Sequence, residues 1–111
     1  MKDDLIVIMH NGKIIFDIIN MPLDSKGKPV LYKPWVSKAK NKKYSVYVKG
    51  QNGNTKKIHF GDKRYGQFKD KIGHYKSLDH GDPKRKKAYY ARHGKAASKD
   101  TAKYWSHKIL W

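Results

Sequence analysis

The sequence predicts an α+β fold: a small single domain in which antiparallel β-hairpins pack with two or three short C-terminal helices. Three observations support this prediction. Two pairs of β-rich segments are each joined by a turn containing Asn-Gly, a helix start signal lies at Asp82-Pro83, and 13% of the 111 residues are aromatic. Asn-Gly favours the positive φ angles of a tight hairpin turn, and aromatic side chains supply a core to a chain of only 38% apolar content.

The first predicted hairpin joins the apolar segments 5–9 and 13–19 across Asn11-Gly12. Both segments are apolar on both faces, so we expect a second layer to cover them, and a homodimer through residues 5–19 would supply it. Residues 21–41 contain Pro22, Pro29 and Pro34 without sustained periodicity, which predicts a connector. We therefore divide the chain into an N-terminal hairpin and connector at 1–41, a candidate dimerisation element, and a basic α+β domain at 42–111.

The second predicted hairpin is formed by residues 43–49 and 56–60, with a turn over residues 50–54 that contains Asn52-Gly53. Alternation in the first strand predicts that Tyr44, Val46 and Val48 face the core. The side chains at 45, 47 and 49 then face solvent.

Three helices are predicted after this hairpin. A short one follows Gly61-Asp62, because Tyr65, Phe68 and Ile72 recur at helical spacing. A basic helix spans residues 83–93, since Asp82 can cap it, Pro83 fits its first turn and Gly94 stops it.

The last predicted helix covers residues 101–107. Ser98 or Asp100 is its expected N-cap, because both side chains can accept a hydrogen bond from a free backbone N–H. Its apolar weight comes from Tyr104 and Trp105, followed by Ile109 and Trp111, so we expect the C-terminus to dock on the core.

The charge of the chain is strongly positive, with 26 Lys and Arg against 9 Asp and a net charge of +17. The excess is uneven, because residues 41–111 hold nineteen basic and five acidic side chains. Such a field attracts polyanions, and each neutralised phosphate releases condensed counterions. Nucleic acid is the first expected partner and an anionic membrane surface the second.

Composition also bounds the function classes. The chain has no cysteine, which excludes disulfides, thiolate zinc sites and a cysteine nucleophile. The start of the chain lacks a basic n-region, and its apolar run at 5–9 is too short for a signal peptide or membrane span. We expect a soluble, intracellular protein that is not an enzyme, needs no cofactor and does not bind membranes.

Several segments of residues 42–111 carry a family resemblance. They are KYSVYV at 43–48, KIHFGD at 57–62, DPKRK at 82–86, ARH at 91–93 and TAKYWS at 101–106, followed by Leu110-Trp111. In order and spacing they resemble a family of small basic proteins of large double-stranded DNA viruses, the mimivirus, phycodnavirus and marseillevirus groups, with relatives in tailed phages. Because that family has no established activity, the resemblance implies a viral context and supplies no mechanism.

The candidate phosphate-binding surface combines the basic helix with basic strand ends. Its residues are Lys84, Arg85, Lys86, Lys87, Arg92, Lys56, Lys57, Lys42 and Lys43. Lysine contacts go mainly to backbone phosphates, which predicts binding with little sequence preference. Tyr47 and Tyr90 are the candidates for stacking on bases, although a small domain also needs its aromatic rings for packing.

Six histidines invite a metal or nuclease interpretation, with His74, His80 and His93 in the densest group. Neither a zinc-ligand spacing nor a cluster of carboxylates accompanies them, and His80 and Asp82 are better suited to shaping the turn before the basic helix. No metal site is predicted. Membrane binding would require a Leu, Phe or Trp stripe on the basic helix, where the sequence has Ala and Tyr.

The sequence thus predicts a non-sequence-specific nucleic-acid-binding protein of a large DNA virus, with DNA the expected ligand ahead of RNA. It would condense, package or protect the genome in the virion, and reside in the host cytoplasm or nucleus during infection. One alternative is a virion structural or host-protein interaction module whose charge serves solubility or docking. A second alternative is a metal-dependent nuclease.

Overall fold

The computed structural model describes residues 8–10, 13–15 and 21–111 and has an α+β fold, as predicted. One antiparallel sheet contains three strands in the order β3-β4-β5, and β1 and β2 pair separately. The helices follow the strands along the chain. The elements are β1 Ile8–His10, β2 Lys13–Ile15, β3 Trp35–Val36, β4 Lys42–Lys49, β5 Thr55–Asp62, a 3-10 helix Lys76–Leu78, α1 Pro83–His93 and α2 Ala102–Ile109.

The first hairpin is present in the described part of its predicted strands. Ile8 pairs with Ile15 and His10 with Lys13 in antiparallel register. The remaining residues of segments 5–9 and 13–19 lie outside the described residues. The homodimer through residues 5–19 therefore stays a prediction.

The second hairpin is confirmed, and its turn closes as expected, with the Gly50 N–H donating to the Asn54 carbonyl at 2.8 Å. Tyr44, Val46 and Val48 are fully buried. Alternation along β4 thus predicts the core face correctly.

The hydrophobic core lies between this face of the sheet and α2. Phe60 of β5 packs against Trp105 of α2, with ring centroids 6.3 Å apart, and Ile109 and Leu110 complete the same cluster. The docked C-terminus predicted from the aromatic residues is confirmed. The basic helix meets this part of the molecule through Tyr89, whose ring contacts His107 and Trp111.

The opposite face of the sheet is partly covered, whereas the sequence predicted that Ser45, Tyr47 and Lys49 all face solvent. Of these three residues only Lys49 is exposed. Ser45 is buried, and the Trp35 ring of β3 stacks on Tyr47 with centroids 5.5 Å apart and an interplanar angle of 25°. Trp35 comes from the segment predicted as a connector, which contributes β3 to the sheet. Tyr47 consequently has one ring face occupied by a neighbour.

No helix forms after Gly61-Asp62, and that prediction is wrong. Tyr65 is 66% exposed and Ile72 is 44% exposed, so the helical spacing does not mark a packing face. The buried Asp70 carboxylate instead organises this loop by accepting hydrogen bonds. Its donors are the backbone N–H groups of Ile72, Gly73 and Tyr75 and the Tyr44 hydroxyl, the last at 2.5 Å.

The cap of α2 also differs from the prediction. Thr101 is the N-cap, and its hydroxyl oxygen accepts the Tyr104 N–H at 3.3 Å. Ser98 and Asp100 are instead engaged with each other, the Ser98 hydroxyl donating to the Asp100 carboxylate at 2.5 Å. The helix therefore starts at Ala102 and runs two residues beyond the predicted end.

Candidate nucleic-acid interface

The basic helix α1 has the bounds predicted from its sequence. The Asp82 carboxylate accepts the Lys84 N–H at 2.9 Å, and Pro83 occupies the first turn. Gly94 ends the helix at a φ of 73°, and its N–H donates to the Tyr90 carbonyl at 2.8 Å. A left-handed φ of this kind favours glycine, which explains why α1 stops there.

Most of the cations on α1 point to solvent. Lys84, Arg85, Lys87 and Arg92 are exposed, and Tyr89 is the buried residue of the helix. Lys86 is half-buried because its ammonium lies 4.5 Å from the centre of the Phe68 ring. Within residues 21–111, no carboxylate oxygen lies within 4.0 Å of a cationic nitrogen of α1.

The aspartates of residues 21–111 have partners other than the α1 cations, although Asp62 also lines a cleft beside Arg92. Asp62 binds the Arg64 guanidinium at 2.7 Å and 3.0 Å, which holds the pKa of this carboxyl well below its usual range. Asp70 and Asp79 are hydrogen-bonded in the loop beneath the sheet, and Asp82 caps α1. The charge of α1 is therefore not neutralised by the carboxylates that the structure describes.

A cleft at the end of the sheet brings cations from three elements together. It has a volume of about 460 Å³ and is lined by Lys42 of β4, Arg92 of α1 and Lys103 of α2, among other residues. A smaller cavity of about 330 Å³ is lined by Arg85 and again by Arg92. Arg92 thus lies at the junction of the two cavities and connects the helix to the strand end.

A second region along α1 has a different character. A groove of about 810 Å³ is lined by Pro83, Lys86, Lys87, Tyr90, Ala91, Lys95 and His107. We refer to it as the Tyr90 groove. Lys86 and Lys87 lie on this side of the helix, whereas Arg85 and Arg92 line the cavities described above.

The predicted basic strand residues do not all join this surface. Lys56 lies 3.7 Å from the Asp100 carboxylate, so its charge has a partner. Lys57 lines a separate cavity of about 280 Å³ with Trp35 and Lys38. Lys42 and Lys43 both line the 460 Å³ cleft with Arg92 of α1, but of the two only Lys42 is exposed.

Lys43 requires a correction, because it cannot contact phosphate on the surface. Its side chain is buried, with 1% of the residue exposed. The ammonium donates to the Tyr65 carbonyl at 2.9 Å and to the Gln67 side chain. Burial lowers the pKa of Lys43, partly offset by Asp70, Asp62 and Asp79. Lys43 therefore organises the interior of the domain.

The two tyrosines predicted to stack on bases have different surroundings. Tyr47 lies under Trp35, as described above. Tyr90 is half-buried and lines its groove, with Tyr89 and His107 as ring neighbours at interplanar angles of 86° and 53°. Neither neighbour lies parallel to the Tyr90 ring.

The histidines of the predicted dense group have separate surroundings. His80 accepts the Asp82 N–H through Nδ1 at 2.9 Å, so it shapes the turn before α1 as predicted. His93 lines the 460 Å³ cleft, and His74 packs edge-on against Tyr75. Within the part of the chain that the structure describes, no three His, Asp or Glu side chains come together as metal ligands.

Some residues that line these cavities were not predicted from the sequence, among them two lysines and a histidine. Lys103 of α2 enters the cleft, while Lys95 and His107 enter the Tyr90 groove. Lys95 is signalled by its position just after the stop of a basic helix. Lys103 and His107 carry no such signal, because only the packing of α2 against the sheet brings them beside α1.

Comparison of the chain with protein-family models, with curated proteins and with solved structures gives no match. Among the described residues, no helix combines the length and the apolar character needed to cross a membrane.

Proposed function

We propose that this protein binds nucleic acid with little sequence preference, through the exposed cations of α1 and the cleft beside them. DNA is the proposed ligand ahead of RNA. Together with the resemblance to proteins of large DNA viruses, this supports a virion protein that condenses, packages or protects the genome, present in the host cytoplasm or nucleus during infection.

One observation supports the proposal above all: most cations of α1 are exposed, and none has a carboxylate partner among residues 21–111. Ordinary charged surfaces alternate both signs, which limits their long-range field. Here residues 21–111 carry 24 Lys and Arg against six Asp, and those aspartates serve caps, turns and the interior. A polyanion is the partner that such a surface attracts most strongly.

The low sequence preference follows from the side chains available. Lys is a compact point charge that suits phosphate, whereas a bidentate contact to guanine requires Arg. Arg85 and Arg92 are the only arginines on α1, and both line cavities that contain aromatic or strand residues. Contacts from lysine to phosphate position the nucleic-acid backbone and carry little sequence information.

Dimerisation through residues 5–19 is part of the proposal. Two copies would double the cationic footprint and allow one particle to bridge two segments of nucleic acid. Light scattering across a dilution series tests it, and a monomer at micromolar concentration would remove this element of the proposal while leaving binding by α1 intact.

Fluorescence anisotropy in a salt series tests the binding proposal. If about six phosphates are engaged, the slope of log K against log salt is about −5. The triple variant Arg85→Ala, Lys87→Ala, Arg92→Ala removes three α1 charges and should make the slope shallower by about 3. A matched control removes three exposed lysines of the connector, Lys26, Lys28 and Lys33, and should change the slope much less. Duplex affinity weaker than about 10⁻⁴ M at low salt would refute the proposal.

A further inference from the structure

The Tyr90 groove combines an apolar floor with a cationic rim. Pro83, Tyr90 and Ala91 supply apolar surface, while Lys87 and Lys95 are exposed at its sides. Spacing on the helix explains the arrangement, because residues 83, 87, 90 and 91 fall on one face of α1. The 460 Å³ cleft takes only Tyr89, Arg92 and His93 from α1, so it does not follow the helix.

The His107 wall adds to the apolar character, because both of its ring nitrogens are already engaged. Nε2 lies 2.8 Å from the Gly94 carbonyl, which can only accept, so this nitrogen donates. Nδ1 then accepts from the Tyr89 hydroxyl at 3.0 Å. Burial lowers the pKa of His107, and this outweighs the Gly94 carbonyl, which acts in the opposite direction. The lowered pKa favours the neutral ring near pH 7. The groove therefore receives the carbon surface of this ring.

The Tyr90 ring has no parallel stacking partner, unlike several other aromatic rings of the domain. Tyr47 is stacked with Trp35, and Tyr89 is stacked with Trp111 at an interplanar angle of 8°. Among residues 21–111, no aromatic ring lies parallel to Tyr90. A flat π-face next to ammonium groups is the combination that single-strand binders use for a base and its phosphates.

We propose that the Tyr90 groove binds an unpaired nucleotide of a single strand, with the base against Tyr90 and Ala91 and the flanking phosphates on Lys87 and Lys95. This inference rests on the proposed nucleic-acid binding and adds the class of strand. A duplex buries its base faces by stacking, so only an unpaired base can reach the ring. A bilayer is a poorer fit, because α1 lacks a Leu, Phe or Trp stripe.

Anisotropy titrations at one salt concentration test this inference with four probes. They are a mixed-sequence single strand, a duplex of equal length, a strand of equal length with abasic sites, and vesicles containing anionic lipid. Tyr90→Ala is the test variant, Tyr90→Phe retains the ring, and Ile72→Ala removes an exposed apolar side chain that lines neither the groove nor the cleft. Ala91→Leu fills the groove at an exposed helix position without changing charge, and keeps the test valid if Tyr90→Ala unfolds.

The expected result is a 5- to 100-fold loss of single-strand affinity, about the value of one base stacked on an aromatic ring, for Tyr90→Ala and Ala91→Leu. Duplex and abasic-strand affinities should change less than about threefold, while Tyr90→Phe and Ile72→Ala resemble the parent protein. Equal losses on single strand and duplex, or no loss on either, would overturn the groove assignment while leaving nucleic-acid binding in place. A loss confined to vesicles would also overturn it. Absence of binding to every nucleic acid would instead refute the proposed function itself.

Discussion

The rings of Tyr89 and Trp111 are stacked nearly parallel, with centroids 4.4 Å apart and an interplanar angle of 8°. Tyr89 is the buried residue of α1, and Trp111 ends the described chain after α2. This contact therefore ties the helix that carries most of the proposed interface to the C-terminal part of the core. Burial raises the pKa of Tyr89 to about 12, so its hydroxyl remains protonated near neutral pH.

Replacement of Trp111 by Ala should loosen α1. We expect a loss of about 2–3 kcal/mol in the free energy of unfolding, because a large half-buried ring and its stacking partner are separated. Hydrogen exchange should show faster exchange of α1 amides than of β4 amides. Tyr65→Ala, at an exposed ring, should change stability by less than about 0.5 kcal/mol. Unchanged α1 protection in Trp111→Ala would show that another contact holds the helix.

Lys42 and Lys43 are adjacent in sequence, but removal of their charges should affect different properties: nucleic-acid binding for Lys42 and stability for Lys43. Lys42→Met should weaken nucleic-acid binding and make the salt slope shallower by about 1, since its side chain lines the cleft. Lys43→Met should leave the slope unchanged and alter stability, because its ammonium is buried and hydrogen-bonded. Urea unfolding and anisotropy of both variants would measure this. A shallower slope for Lys43→Met would contradict the buried position.

Lys56 and Lys87 should differ in the same assay. The Lys56 ammonium lies 3.7 Å from Asp100, whereas Lys87 has no carboxylate partner within residues 21–111. Lys87→Ala should therefore reduce the magnitude of the salt slope by about 1, and Lys56→Ala by clearly less. Equal reductions would indicate that the interface extends over β5.

The Asp70 carboxylate should make stability depend on pH in the acid range. Burial alone raises its pKa, but the hydrogen bonds from Tyr44 and from backbone N–H groups outweigh burial and lower it. A lowered native pKa gives a contribution that is present above the unfolded value of about 3.9 and is lost as pH falls through the native value. Asp70→Asn should cost about 2–3 kcal/mol at pH 7.

The control for this prediction is Asp24→Asn, in an exposed turn. We expect its effect to stay near 0.5 kcal/mol at all pH values. Urea unfolding from pH 7 to pH 2 should show the parent protein and Asp70→Asn converging in acid. A constant difference between them would mean that Asp70 is not ionised in the folded protein.

Local signals account for the elements that the sequence predicted well. Asp82, Pro83 and Gly94 fix the ends of α1 through contacts within a few residues, and the same holds for the turn between β4 and β5. Tyr65, Phe68 and Ile72 give a helical spacing, but the tertiary hydrogen bonds of Asp70 decide that segment. Prediction from local sequence pattern fails where contacts with residues distant in the sequence contribute more to the stability of a segment.

The candidate interface was only partly predictable for the same reason. The cations of α1 belong to one helix, so their exposure follows from its sequence. Lys42 and Lys43 look alike in the sequence, and only the loop that brings Tyr65 and Gln67 over Lys43 separates their roles. Lys103 joins the cleft through the packing of α2 on β5, which is a contact between distant segments.

The position of β5 in its sheet suggests a second role for its lysines. In the described sheet β5 is an edge strand, and it carries Lys56 and Lys57 in exposed positions. Edge strands offer unpaired backbone groups on which another molecule can add a strand, and lysines discourage such growth by staying hydrated and repelling one another. These two side chains can therefore protect against fibrous self-association at high protein concentration, a benefit that is independent of any ligand.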